Sequence, residues 1–308
     1  MAAPVHVPPK VANVASILAN ERPIMPNAVD TILSEAPPIV RCSVDWRPYH
    51  ALQQQLDDKY SDAEERIADV RVAGVHPRVR ALLAREGRIM QHTPAWYEGR
   101  KKMLTASTAG AVLGTDPYTT PRQLLMKKTG QHVDEERSGD SLAAAHGTRT
   151  ENEAREWVCH VTGLALLRDD HDAAVDVGLV VHPQHDWIGA SPDGVFKCGL
   201  LVEIKCPRSR AIRHTVPLHY YAQVQMQLEV CDLEECVFAQ YKRSTAFARG
   251  ELDIILVRRD REWWARMFRL HFQPFWNDVL EGLAERARER AEQRAAEQEA
   301  QKKRKLGE

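Results

Sequence analysis

Ser191-Pro192-Asp193-Gly194 and the following Leu201-Val202-Glu203-Ile204-Lys205 decide how this chain is read. The first stretch is a turn carrying a carboxylate. The second is a short apolar strand carrying another. Successive side chains of a strand point to opposite faces, so Glu203 and Lys205 share one face while Val202 and Ile204 enter a core. A hairpin over Gly194 to Gly199 returns Asp193 to the side of Glu203. Two carboxylates and an ammonium then meet at the end of a buried sheet. Carboxylate oxygens suit Mg²⁺ or Mn²⁺, and a neighbouring lysine can orient or activate water. The same spacing also describes a surface hairpin with an exposed Glu-Lys pair, and the spacing alone leaves both open.

The 308 residues suffice for one large domain with extensions. Charged residues make up 28% and the formal net charge is −1, so nucleic-acid binding would have to come from local basic patches. No apolar run reaches the ~18–20 residues of a membrane span, and the first residues lack the layout of a signal peptide. A soluble, intracellular protein is expected. The six cysteines (42, 159, 198, 206, 231 and 236) form no CxxC pair and are expected as free, buried thiols.

Residues 1–44 are rich in proline, without a sustained period, and read as a poorly ordered arm. Residues 45–92 read as an accessory helical segment, restarted at Pro77. Thr93-Pro94 starts a helix that ends in Arg100-Lys101-Lys102, and Ser107 is placed to cap a second one, Thr108 to Leu113. A basic cluster facing a capped helix start can hold a phosphate; solvated lysines beside an ordinary cap fit as well. Gln131 to Leu142 reads as a surface loop. Ala154 to Thr162 has helical spacing, which puts Glu151 in the first turn of that helix.

From Leu164 to Cys206 short apolar strands alternate with turns. A helix over Pro217 to Val230 follows, with Gln223 and Gln227 one turn apart. Two further strands cover Glu235 to Tyr241 and Gly250 to Val257. Arg261 to Leu283 is an amphipathic helix broken at Pro274, whose aromatic stripe reads as core. Residues 285–308 have helix propensity without an apolar face, and end in Lys302-Lys303-Arg304-Lys305, a basic run compatible with nuclear import or nucleic-acid contact.

Taken in order, Trp96 with Arg100, Leu104-Thr105-Ala106-Ser107, Gly147 with Glu151, Ala190-Ser191-Pro192-Asp193-Gly194, Leu201 to Pro207, and Tyr221-Ala222-Gln223-Val224-Gln225 resemble one family. It is the phage lambda exonuclease and YqaJ-type viral recombinase family of PD-(D/E)XK nucleases. The resemblance covers roughly residues 94–283 and implies a domain over 93–284. It implies an α/β (α+β) restriction-endonuclease-like core, a central mixed sheet flanked by helices, here with an N-terminal helical extension. It further implies that Glu151, Asp193 and Glu203, with the Ile204 carbonyl, hold Mg²⁺ (or Mn²⁺), that Lys205 positions or deprotonates water, and that Gln223 helps orient Lys205 or the water. Arg100, Ser107 and Ser191 are implied in a 5′-phosphate pocket, with Arg208 or Arg210 adding to it. His182 stands where some members have a third acidic residue. The implied activity is 5′→3′ digestion of duplex DNA ends, leaving 3′ single strands for recombination, repair or viral DNA processing. The implied partners are a single-strand annealing protein and, in a ring-like trimer, further copies of the chain. A PD-(D/E)XK endonuclease and a non-catalytic DNA-end-binding protein are the alternatives.

Overall fold

The computed structural model describes residues 37–60, 65–67, 70–131, 138–169, 173–208, 210–245 and 248–306, with backbone alone at 138–149, 303, 305 and 306. Most of the arm reading (1–36) and part of the loop reading (132–137) lie outside the described residues.

Five strands build the central mixed sheet, in the order β1-β10-β9-β8-β7. They are β1 (Ile39–Cys42), β7 (Gly194–Val195), β8 (Leu201–Lys205), β9 (Glu235–Lys242) and β10 (Glu251–Arg258). β7 and β8 form the expected hairpin, with Gly194 opposite Val202 and Val195 opposite Leu201. Its turn passes through Gly199 at φ +100°, a conformation that favours glycine. β8 then pairs in parallel with β9, and β9 antiparallel with β10. A smaller sheet holds β4 (Leu104–Thr105), β5 (Val180–Val181) and β6 (Ile188–Ala190) in the order β4-β6-β5. β2 (Arg66–Ile67) and β3 (Val70–Arg71) form a separate antiparallel pair.

The helices are α1 (Arg47–Lys59), α2 (Pro77–Leu83), α3 (Pro94–Lys101), α4 (Ala109–Val112), α5 (Pro121–Lys128), α6 (Ser138–Thr162), α7 (Leu218–Cys231), α8 (Arg261–Met267) and α9 (Gln273–Leu306). The pleat sorts the core onto two faces. Val202, Ile204, Val237, Ala239, Leu252 and Ile254 pack with Ala154 and Val158 of α6. Leu201, Cys236, Phe238 and Val257 pack with Ala222, Val224, Met226 and Leu228 of α7. Glu203 and Lys205 therefore project toward α7, as period-two alternation requires.

Several local expectations are corrected. Residues 39–42 belong to no arm: they add β1 in parallel to β10 and cover its edge. The segment 45–92 is not uniformly helical, since β2 and β3 interrupt it. α6 starts at Ser138, inside the expected loop, so Glu151 sits well within a helix. Pro274 does not break the aromatic helix. A π-helical turn over Phe268–Phe272 comes immediately before, and α9 continues through Pro274 from Gln273. α9 runs to Leu306, exposed through its outer half.

Candidate active site

The hairpin fixes the first carboxylate through the backbone. Asp193 N–H donates to the Val202 carbonyl at 3.1 Å, and Asp193 Oδ2 accepts from the Ile204 amide at 2.7 Å. Glu203 is held by side chains. Its Oε1 accepts from Gln223 Nε2 at 2.6 Å and lies 2.5 Å from Lys205 Nζ. Its Oε2 accepts from Gln227 Nε2 at 2.6 Å. A fully buried carboxylate requires such donors. α7 supplies two of them because residues four apart lie on one helical face. Gln227 was noted in the sequence for its spacing but not as a site residue; the i,i+4 glutamine pair was the signal.

Glu151 reaches the same cluster from α6, on the other side of the sheet, and its Oε1 accepts from Arg155 Nη2 at 2.6 Å. Burial raises the Glu151 carboxyl above its ordinary range; Arg155 opposes this and Glu203 adds to it. Burial also holds the Asp193 carboxyl well above its ordinary range, reinforced by Glu203 and Glu151. Burial works against the Lys205 ammonium, yet Glu203 and Asp193 outweigh it and the group is held charged, above its ordinary range. Lys205 Nζ also lies 5.0 Å from the centre of the Tyr220 ring.

A second cluster assembles the other predicted residues. Thr93 Oγ1 caps α3 by accepting from the Trp96 amide at 3.2 Å. The Arg100 guanidinium lies 4.2 Å from the Trp96 ring centre, and its Nη2 donates to Ser107 Oγ at 2.8 Å. Trp96 Nε1 donates to Ser191 Oγ at 3.0 Å, tying this cluster to the turn that carries Asp193. The α3 C-terminus is pinned by Lys128, whose ammonium donates to the carbonyls of Arg100 at 2.7 Å and Met103 at 2.5 Å. Burial pushes the Lys128 ammonium down to about 8, with Arg100 and Lys127 adding to the effect. Burial lowers the Arg100 guanidinium, while Tyr97 and Glu203 act in its favour; its field and that of Glu203 overlap.

Ser107 is not a helix cap. It lies in a 3₁₀ turn, Ala106–Thr108, and its hydroxyl meets Arg100 and Thr105 instead. Of the two alternatives downstream of Lys205, Arg208 is exposed, whereas Arg210 lies over the Tyr220 ring at 5.5 Å and donates to Gln240 Oε1 at 2.8 Å. His182 turns elsewhere: it stacks on His185 and lies 3.8 Å from Glu229.

Among the described residues, no three His, Cys, Asp or Glu side chains converge into a ready-made cage for an ion. The donor chemistry nevertheless suits a hard dication, because Glu151, Asp193, Glu203 and the Ile204 carbonyl offer oxygen alone. The mutual repulsion of three clustered carboxylates is what a dication relieves. Lys205, Gln223 and Gln227 supply that positive character to Glu203 in this arrangement, leaving Oε2 with one accepting position to spare.

Residues 95–234 match the model of the YqaJ-like viral recombinase domain. An uncharacterized protein of Acanthamoeba polyphaga mimivirus is 30% identical over 170 residues, which are 49% of this chain; the chain spans 29% of that relative's length. An alkaline exonuclease from Laribacter hongkongensis is 24% identical, with a TM-score of 0.45, over 67% of this chain and 99% of that one. Its complex with dAMP gives 25% and 0.46 over the same shares. A phage-related exonuclease from Haemophilus somnus is 13% identical, with a TM-score of 0.33, over 59% of this chain and 90% of that one. Glu151, Asp193, Glu203, Lys205, Gln223, Arg100 and Ser107 all fall inside the matched stretch, and over residues 95–234 this chain is similar to the YqaJ-like viral recombinase domain.

Proposed function

We propose that the chain is a divalent-metal-dependent 5′→3′ exodeoxyribonuclease acting on duplex DNA ends. The observation that supports this best is the junction of two clusters. Asp193, Glu203 and Lys205 meet at the end of the β7–β8 hairpin, and Arg100 with Ser107 is fastened to the same turn through Trp96 and Ser191. One cluster suits hydrolysis of a phosphodiester and the other suits a terminal phosphate.

Glu151, Asp193 and Glu203, with the Ile204 carbonyl, would hold Mg²⁺. Bound there, the ion supplies a polarised water and neutralises charge on the phosphate. Gln223 and Gln227 orient the Glu203 carboxylate. Lys205, held as a cation by Glu203 and Asp193, orients the water and meets the charge that develops on phosphorus oxygens. Arg100 offers a planar fork of donors, stacked on Trp96, and Ser107 a hydroxyl, to a 5′-phosphate. Anchoring that end sets which bond lies at the carboxylates and so gives the direction of digestion. Mononucleotide release leaves a 3′ strand for annealing. A trimer around DNA and an annealing partner belong to the same proposal.

The test is digestion with Mg²⁺ of linear duplexes bearing 5′-phosphate or 5′-hydroxyl ends, and of a covalently closed circle. Wild type is expected to digest the linear forms, the phosphorylated one faster, and to spare the circle. Lys205→Ala abolishes cleavage, and Arg100→Ala erases the phosphate preference. Cutting of the circle would establish an endonuclease, and binding of ends without digestion a non-catalytic protein. Unchanged digestion by Lys205→Ala would overturn the mechanism.

A further inference from the structure

Beyond the site, the α7 face of the sheet carries a row of polar side chains. Lys205 lies opposite Gln240 of β9, and Gln240 opposite Asp253 of β10. Gln240 and Asp253 are fully buried in strands that are otherwise largely apolar. Such groups are costly without partners, and here, apart from their bond to each other, the contacts run to the one loop between β8 and α7. Gln240 Nε2 donates to the carbonyls of Arg213 at 2.9 Å and Thr215 at 3.3 Å, and to Asp253 Oδ2 at 3.3 Å. Asp253 Oδ1 meets His214 Nδ1 at 2.6 Å. Gln240 Oε1 accepts from Arg210 Nη1. The loop they fasten joins the strand of Lys205 to the helix of Gln223 and Gln227.

Arg210 is thereby fixed by one nitrogen and by the Tyr220 ring, the ring that Lys205 also faces. Its Nη2 is buried without a hydrogen-bond partner. A buried donor without a partner, at a ring that a second cation also faces, is satisfied when an anion is drawn to those cations. The stretch from Ile204 to Leu228 carries Lys205, Arg208, Arg210, Arg213, His214 and His219, and no Asp or Glu.

We infer that Gln240, backed by Asp253 and His214, is a positioning residue: it holds the Arg210 guanidinium at the Tyr220 ring that Lys205 also faces, so that the guanidinium meets a phosphate oxygen of the substrate strand. The inference rests on the nuclease function proposed above. A planar guanidinium gripped at one nitrogen keeps its remaining donors aimed, which an ammonium cannot do.

The test is a double-mutant cycle on kcat/KM for a 5′-phosphorylated linear duplex with Mg²⁺, using wild type, Gln240→Leu, Arg210→Ala and the double variant, with a thermal melt of each. Gln240→Leu is expected to lower kcat/KM about tenfold, the loss of one charge-assisted hydrogen bond, and to lower it no further in the Arg210→Ala background. A purely structural glutamine lowers the rate by the same factor in both backgrounds, and that result overturns the inference. His214→Ala, at a half-exposed position, serves where Gln240→Leu does not fold. It is expected to reduce the rate roughly threefold, again only when Arg210 is present; an unchanged rate, or equal loss in both backgrounds, overturns the inference equally. Loss of activity in Lys205→Ala with an additive cycle removes this inference alone, while full activity in Lys205→Ala removes the proposed function first.

Discussion

Replacing Gln227 by leucine separates folding from chemistry at one atom. Gln227 Nε2 is the donor to Glu203 Oε2, at 2.6 Å in a fully buried setting. A hydrogen bond to a charged group contributes about 1.5–3 kcal/mol. Its loss frees the carboxylate to rotate about the remaining contacts on Oε1. If Glu203 must be aimed for the reaction, that energy appears in the barrier as a fall of roughly 10- to 150-fold in kcat. Stability changes less, because Gln227 Oε1 is itself buried without a partner. Leucine removes that orphaned acceptor, a relief of about 1–3 kcal/mol that offsets the lost donor. The melting temperature is therefore expected to move by a few degrees at most while turnover collapses. The assay pairs a Mg²⁺ titration of nuclease rate with a thermal melt. Wild-type turnover at a wild-type Mg²⁺ requirement would refute the idea that both α7 glutamines orient Glu203. A large drop in stability with proportionate loss of rate would refute the offset.

Other perturbations probe neighbouring contacts. Because burial, Glu203 and Glu151 raise the Asp193 carboxyl, the folded state binds that proton more tightly than the unfolded one. Without divalent ions the protein should lose stability as pH rises from about 4, the unfolded carboxylate value, toward the raised folded value. Asp193→Asn should remove that part of the slope and melt higher in EDTA at neutral pH; an unchanged pH profile would refute the electrostatic account. Trp96→Phe keeps a ring under Arg100 but deletes the donor to Ser191, and should cut the 5′-phosphate preference by about two- to tenfold in competition digests. Gly110→Ala would place Cβ 2.6 Å from the His219 Cβ and 2.9 Å from its Cα. Despite the better helix propensity of alanine, urea titration should show a loss of about 1–3 kcal/mol as α4 is pushed off α7.

Much of this site was legible because strand chemistry has a short period. Asp193, Glu203 and Lys205 could be placed from a turn and an alternation of two. Gln223 came only with the family motif that it matches. What escaped depends on packing between elements distant in sequence. Nothing local marks Gln240 and Asp253 as anchors for Arg210, because their partners arrive from another connection. The start of α6 is not legible because Ser138 to Gly147 has glycine at 139 and 147 and only Leu142 as a large apolar residue, too little to set a period. Pro274 looked like a break because a π-helical turn leaves no sequence period of its own. β1 was hidden by flanking prolines, and its reason to exist is the edge of β10, more than two hundred residues away.

That strand bears on how such a protein can be cut and inherited. The stretch that matches the YqaJ-like domain model ends at residue 234, yet β9, the partner of the strand that carries Glu203 and Lys205, begins at Glu235. β9 in turn needs β10, and the open side of β10 is sealed by four residues near the other end of the chain. A gene fragment trimmed to the match would leave β8 with a raw edge, ready to pair with any passing strand. The heritable module is therefore larger than its signature. A fragment meant to keep the β7–β8 hairpin in its sheet must therefore also carry both flanks.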